Sequence, residues 1–368
     1  MEVGFFYHPQ IEKYDFGEGH PFRGKRFEIF LSFFKERFPD FKNYFQHILP
    51  SPASDQLLCL VHTQDYIDVV KSASSGIEVP YLFHYLSSDN INPLTGRFPQ
   101  GIDEAARAIV GSSAEALEMV ARGSLKKAIV IGGGLHHAQP DFGEGFCVYN
   151  DIAIGVENLK RKYKLERILV LDTDAHAGNG VAQFFYNDPC VLFIDLHQDP
   201  TTIYPGTGFI HQIGEGKGKG FTVNLSLSVG ASNKSYQYLF EEIIFPLARE
   251  FSPQLIIRYG GSDPHYLDNL TNLGLTLDGF KMIGSYTREI AEEVCQARSV
   301  DLVTSGYNEE LLPFCWTALI AGVLNQEVDL DDFKERNLPS PDFKLEETKE
   351  MVFSLKKLLK NYWRSMSK

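Results

Sequence analysis

Arg167-Ile168-Leu169-Val170-Leu171-Asp172 runs directly into Thr173-Asp174-Ala175-His176-Ala177-Gly178-Asn179-Gly180. The first half is a continuous apolar run, and the second is a polar, glycine-punctuated turn that opens a helical pattern over 180–186. A strand that is apolar throughout, rather than alternating, is covered on both faces. That is the condition of a parallel sheet packed between helices. The same grammar repeats outward from this stretch. Further strands are predicted at 127–132, 191–196, 221–225, 255–259 and 301–305, with helices at 103–121, 152–162, 235–251, 279–296 and 311–324. No linker interrupts the pattern, so the chain reads as one α/β domain over 1–368 with its core at about 5–325. Residues 14–98 read as loop-rich decoration, and 325–342, with Pro339 and Pro341, as a surface loop. From 344 to 363, Met351, Leu355, Leu358/Leu359 and Tyr362 are spaced for one face of a packing helix.

Composition sets outer bounds. The 368 residues are 43% hydrophobic and 23% charged, as in globular chains. No apolar run approaches the roughly 20 residues of a membrane span. Met1 to Gln10 has neither a basic region nor an apolar core, so no signal peptide is expected and the predicted location is cytoplasmic. The formal charge of −13 argues against nucleic acid, whose binding needs clustered Lys and Arg, and favours cationic substrates or partners. Cys59, Cys147, Cys190, Cys295 and Cys315 form no C-x-x-C pair, which argues against structural zinc and disulfides and fits a reducing compartment.

In parallel α/β sheets, ligands bind outside the carboxyl ends of the strands. The segments just after the predicted strands are uniform in chemistry: Gly133-Gly134-Leu135-His136-His137, Asp172-Thr173-Asp174-Ala175-His176, Asp195-Leu196-His197, Gly260-Gly261-Ser262-Asp263-Pro264-His265 and Thr304-Ser305-Gly306-Tyr307. Polar, glycine-rich loops are common on such folds, but five loops of one chemical type exceed that background. Asp172, Asp174 and His176 recur with period two, on one side of an extended segment. Asp174 and His176 can therefore reach one metal ion, with Asp263 as third ligand and a position left open, the arrangement of catalytic zinc. Two carboxylates with one imidazole form a harder set than three histidines, which leaves Fe(II) or another divalent ion open. His136 and His137 suit general base and acid roles, and the Tyr307 hydroxyl suits an oxyanion donor. Together these parts describe metal-assisted hydrolysis of an amide.

These residues resemble the zinc-dependent histone deacetylase family in its broad sense, which includes bacterial and archaeal deacetylases and acetylpolyamine amidohydrolases. The resemblance rests on Gly132-Gly133-Gly134-Leu135-His136-His137, Gly145-Phe146-Cys147-Val148-Tyr149-Asn150-Asp151, Asp172-x-Asp174-x-His176 and Tyr204-Pro205-Gly206-Thr207-Gly208. Gly260-Gly261-Ser262-Asp263, Ser305-Gly306-Tyr307 and Gly19-His20-Pro21 through Arg26 complete it, in the family's order over roughly 5–325. It implies an arginase/deacetylase-like three-layer α/β fold around a mainly parallel eight-stranded sheet. It assigns Asp174, His176 and Asp263 to zinc, His136 and His137 to acid–base work and Tyr307 to polarising the substrate carbonyl. Asp172 would support His136. Asp172, Asp174, His176, Asp195 and Leu196 would hold a structural K+ or Na+. Phe146 and Tyr204 would flank a narrow tunnel, with Gly145 in its wall and Leu270 at its rim. Asp89 would anchor the substrate's polar portion, and Arg26 would line an exit for acetate. The implied substrate is acetylated lysine or a small acetylated amine.

Three departures from the family pattern bear on the chemistry. Ala177 and Asn179 stand where many relatives have His and Asp, so an amide replaces the carboxylate expected beside His137. A neutral amide stabilises an imidazolium less, which favours His137 as base over acid. Asp195 replaces a frequent Ser and is expected to strengthen cation binding by its charge. Thr304-Ser305-Gly306 is less glycine-rich than usual before the tyrosine, which bears on how freely Tyr307 swings. Two other readings stand beside the deacetylase: an arginase-like binuclear metallohydrolase, which needs further ligands, and an inactive binding module on the same fold. The sequence carries no clear signal of oligomeric state.

Overall fold

The computed structural model describes residues 2–335 and 342–367; Pro339 and Pro341 of the predicted surface loop lie outside the described residues. The apolar runs form strands β1 (Val3–Phe6), β2 (Gln46–Ile48), β3 (Lys127–Ile131), β4 (Ile168–Asp172), β5 (Val191–Gln198), β6 (Thr222–Leu227), β7 (Leu255–Tyr259) and β8 (Ser299–Val303). They join in one eight-stranded sheet of order β2-β1-β3-β8-β7-β4-β5-β6. Every pairing is parallel. The central strands face apolar layers on both sides, as the continuous pattern requires. In β4, Leu169 and Leu171 pack into one buried cluster while Ile168 and Val170 pack into the other. On the second face, Ile152, Val156 and Leu159 of the helix Asp151–Tyr163 cover the sheet. On the first face, the helices Leu277–Cys295 and Leu312–Leu324 pack against it.

The strand order positions the site. β8 and β7 are inserted between β3 and β4, so the connections diverge to either side and leave a crevice at the carboxyl ends of the central strands. The polar motifs at 132–137, 172–180, 260–265 and 304–307 extend from the ends of these four strands.

Several boundaries differ from the sequence expectations. β8 lies at Ser299–Val303 rather than 301–305. Thr304 and Ser305 have left the ladder, and the Ser305 hydroxyl donates to Asp263 at 2.6 Å. The stretch 14–98 is more than decoration, because β2 within it pairs in parallel with β1 at the sheet edge. The single helix expected over 235–251 is Asn233–Leu239, a π-helical turn Phe240–Ile244 and then Phe245–Phe251. Pro246 has no N–H to donate and its ring crowds the carbonyl a turn earlier, which forces the wider turn before it.

The C-terminal helix is Leu345–Leu359, and its buried face is Thr348, Val352, Leu355 and Leu359. Met351 is half-buried, while Leu358 and Tyr362 are 36% and 40% exposed, so the expected stripe is displaced around the helix. The anchor beyond it is Trp363, whose indole N–H donates to the Gly220 carbonyl at 2.6 Å and whose ring meets Phe221 at 5.0 Å. Leu355→Ala is accordingly expected to cost about 2–5 kcal/mol and Leu358→Ala less than about 1 kcal/mol, measured by urea unfolding. Equal losses at the two positions would contradict this packing. Among the described residues, no helix is long and apolar enough to cross a membrane.

Candidate metal centre and active site

The end of β4 turns its side chains by a ladder of local hydrogen bonds. Asp172 Oδ1 accepts the Asp174 N–H at 2.9 Å, and Asp174 Oδ1 accepts the His176 N–H at 2.9 Å. Asp263 arrives from the loop after β7. Its Oδ2 accepts the Ala175 N–H at 3.0 Å and its Oδ1 the Ser305 hydroxyl at 2.6 Å. His176 Nδ1 then lies 3.0 Å from Asp174 and 3.2 Å from Asp263. Asp174, His176 and Asp263, all buried, each bring one ligand atom to within 4.8 Å of the others. The electrostatics describe a crowded anionic pocket. Burial and the charge of Asp174 push Asp263 up to about 8. Burial opposes ionisation of Asp174 too, but His136 and His176 hold it well below the usual carboxylate range. Two carboxylates that cannot both ionise comfortably, facing one imidazole, are a donor set that fits a divalent cation.

The paired histidines have different backing. His136 Nδ1 donates to Asp172 Oδ2 at 2.9 Å. Burial disfavours its charge, yet Asp172 and Asp174 prevail and push it up to about 9. His137 Nδ1 meets Asn179 Oδ1 at 2.7 Å. Burial, followed by the neighbouring His136 and His176, drives it well below the ordinary histidine value. The predicted contrast between a carboxylate-backed and an amide-backed imidazole is thus present in the geometry.

Tyr307 stands opposite. Its ring is perpendicular to His176 at 6.2 Å and packs edge-on to Phe146 at 5.8 Å. Burial and the charges of Asp174 and Asp263 push its hydroxyl well above the ordinary tyrosine value, so it stays a donor. The segment before it is held from several sides. Tyr307 N–H donates to Asp268 at 2.7 Å, Asn269 donates to the Tyr307 carbonyl at 2.5 Å, and the Trp316 indole donates to Ser305 at 3.0 Å. Arg26 donates to the carbonyls of Gly306 at 2.8 Å and Thr304 at 3.3 Å, and to Pro21 and Arg23. Buried Arg26, lowered to about 10 by desolvation, thus ties its own segment at Pro21 and Arg23 to the Tyr307 loop.

The other predicted residues surround this cluster. Tyr204 packs against His137 at 5.1 Å and Phe146 against Tyr307, one on each side. Gly145, with φ +57, comes so close to His137 that a Cβ there would meet Cδ2 at 2.2 Å. Asp89 Oδ2 accepts the Gly145 N–H at 3.0 Å. His20 supports both, packing on Phe146 at 4.6 Å and pairing with the Asp89 carbonyl at 2.8 Å. Leu270, 40% exposed, lies in the loop whose Asp268 also holds the Tyr307 N–H. Asp172, Asp195 and Leu196 are buried at adjoining ends of β4 and β5.

Asp195 is engaged on both oxygens. Its Oδ1 lies 2.8 Å from His197 Nδ1, and its Oδ2 accepts the Gly178 N–H at 2.9 Å. His197 Nε2 faces the Gly208 carbonyl at 2.8 Å. An oxygen thus faces each ring nitrogen, and the Asp195 charge overcomes burial to raise the pKa of His197. Residues not singled out from sequence also complete the site. Glu144, Gln139 and Asp268 orient the walls and the Tyr307 loop.

A parallel α/β scaffold with a buried Asp–His–Asp cluster that could hold a metal ion at its strand ends, paired histidines and a facing tyrosine defines a class of hydrolytic folds. Within that class the chain belongs to the histone deacetylase domain family, whose model matches residues 20–323. It is 31% identical to a probable deacetylase of Archaeoglobus fulgidus over 99% of both chains. It is 32% identical to the acetoin utilization protein AcuC of Bacillus subtilis, over 86% of this chain and 80% of that one. AcuC of Staphylococcus xylosus is 30% identical over 91% of this chain and 86% of its own. The crystal structure of the HDA15 HD domain shares the fold, with a TM-score of 0.84 at 23% identity over 100% of this chain and 97% of that one.

Proposed function

We propose that the chain is a metal-dependent deacetylase that hydrolyses the acetyl amide of an N-acetylated amine, of the acetyl-lysine or acetylpolyamine class. Family membership supports deacetylation. The observation that carries the mechanism is the convergence of His136, His137 and Tyr307 on the Asp174–His176–Asp263 cluster. Zinc, or Fe(II) in its place, held by that cluster supplies a Lewis acid for the amide carbonyl and lowers the pKa of a water.

The chain's own residues do the rest. His137, backed by an amide and uncharged, takes the proton of the attacking water on Nε2. Tyr307 donates its hydroxyl to the carbonyl oxygen as negative charge develops there. His136, kept charged by Asp172, stands ready to protonate the leaving amine. Phe146 and Tyr204 flank the acyl chain, Gly145 gives it room, Leu270 forms the rim and Asp89 anchors the polar part of the substrate. Arg26, behind Tyr307, faces the route of the departing acetate. A structural K+ or Na+ at Asp172, Asp174, His176, Asp195 and Leu196 belongs to the same reading. We place this activity in a single domain acting in the cytoplasm, where free thiols persist; all five cysteines are free.

The test is acetate release from an acetyl-lysine peptide and an acetylpolyamine by metal-replete protein. Hydrolysis of at least one, lost on chelation and restored by zinc or Fe(II), is expected. A metal-loaded chain that cleaves neither would overturn the reading. Two tightly bound manganese ions per chain would turn it toward the binuclear alternative. Among the described residues, one such ligand cluster is present, which favours a single ion.

A further inference from the structure

His136 rests directly on a carboxylate, whereas His137 rests on the amide of Asn179, and an amide can face a histidine in two ways. With Oδ1 toward the ring it accepts from Nδ1–H and leaves a lone pair on Nε2. With Nδ2 toward the ring it donates to Nδ1 and leaves the proton on Nε2, the wrong tautomer for a base. The residue beyond Asn179 decides between them. Glu144 Oε1 accepts from Asn179 Nδ2 at 2.8 Å and from Gln139 Nε2 at 2.9 Å. Its Oε2 accepts the Tyr204 hydroxyl at 2.9 Å. A carboxylate only accepts, so Asn179 must turn its NH2 to Glu144 and its oxygen to His137, as the 2.7 Å contact requires.

The same carboxylate holds the ring's surroundings. Tyr204, tied to Glu144 by its hydroxyl, packs edge-on against His137 at 5.1 Å. Gln139 bridges Glu144 to the His137 carbonyl at 3.2 Å. Gly145, the next residue, brings the chain directly against the imidazole.

We propose that Glu144 is a positioning residue for His137: acting through Asn179, it fixes the Nδ1–H tautomer and leaves Nε2 free toward the reaction centre, while clasping Tyr204 beside it. The proposal rests on the acid–base role given to His137, but its geometric part is open to measurement without turnover. The carboxylate lost beside His137 by the presence of Asn179 is supplied one side chain further out, from a different loop.

The test uses full-length protein with 15N-labelled histidine. In the wild type, His137 is expected as a single Nδ1–H tautomer. In Glu144→Gln, whose amide lets Asn179 turn round, the Nε2–H tautomer is expected to appear. An unchanged His137 spectrum in this variant overturns the proposal. Kinetics supply the second arm. Glu144→Gln is expected to lower kcat roughly tenfold with KM within roughly twofold. In an Asn179→Asp background, where His137 has its own carboxylate, Glu144→Gln is expected to lower kcat by much less than in the wild type, only the clasp on Tyr204 being lost. Equal losses in both backgrounds would mean that Glu144 merely knots its loop, and would overturn the positioning role. Thermal melting confirms that each variant is folded. Failure of the wild type to release acetate would count against the proposed function, while the tautomer measurement would still decide this inference.

Discussion

Tyr307→Phe is expected to reduce kcat by about a hundredfold or more, the usual consequence of losing one preorganised oxyanion donor, with little change in metal content. The substitution removes one oxygen and leaves the ring contacts with Phe146 and His176 in place. The loop is also held independently of the hydroxyl. Asp268 holds the Tyr307 N–H, Asn269 its carbonyl and Arg26 the carbonyl of Gly306. Loss of activity therefore reports the missing donor and not a displaced loop. Because burial and the nearby Asp174 and Asp263 push the hydroxyl well above its ordinary pKa, deprotonation of Tyr307 does not limit activity near neutral pH. Steady-state kinetics on the better acetylated substrate, with metal analysis of the same sample, provide the check. Near-wild-type turnover would remove Tyr307 from the mechanism.

The parts of this molecule that are legible in the sequence share a physical cause. A central parallel strand is apolar on both faces, so β3, β4, β5 and β7 stand out as continuous runs, and the polar residues at their carboxyl ends mark the crevice. Where burial is one-sided or the segment short, the signal fades. β2 is only Gln46–Ile48, with Gln46 and His47 exposed, and nothing distinguishes it from loop. The end of β8 is blurred because Thr304 and Ser305 look like strand residues, while the pull of Asp263 on the Ser305 hydroxyl is a tertiary effect.

Two members of the proposed metal cluster, Asp174 and His176, are visible through their period-two spacing. The pairing of Asp195 with His197 obeys the same rule, since His197 lies two residues further along the strand. Glu144 is the opposite case. It adjoins the recognisable Gly145-Phe146-Cys147 segment, but its meeting with Asn179, 35 residues away in sequence, comes from the packing of two loops and leaves no pattern.

Asp263→Asn separates metal binding from folding. The amide has the shape of the carboxylate, but its single oxygen keeps only one of the two accepted bonds, from the Ser305 hydroxyl or the Ala175 N–H, and it carries no charge to offer a cation. In the metal-free protein, the change relieves the crowding of two buried carboxylates but loses one accepted hydrogen bond, so the two effects oppose and the melting temperature is expected to shift little. The response to metal should be opposite. A ligand that binds only the folded state at roughly a thousand times its Kd stabilises by about 4 kcal/mol, and this increment should largely vanish in the variant along with acetate release. Thermal melts of both proteins with and without zinc, read beside activity, resolve the two effects. If zinc raised the melting temperature of Asp263→Asn as much as that of the wild type, Asp263 would not be a ligand. If the metal-free variant were strongly destabilised, Asp263 would instead be mainly a structural anchor, through Ala175 and Ser305, for the loops that carry the site. A protein that melts normally without metal, gains little from zinc and releases no acetate is the outcome that a carboxylate kept in the crevice for a cation requires.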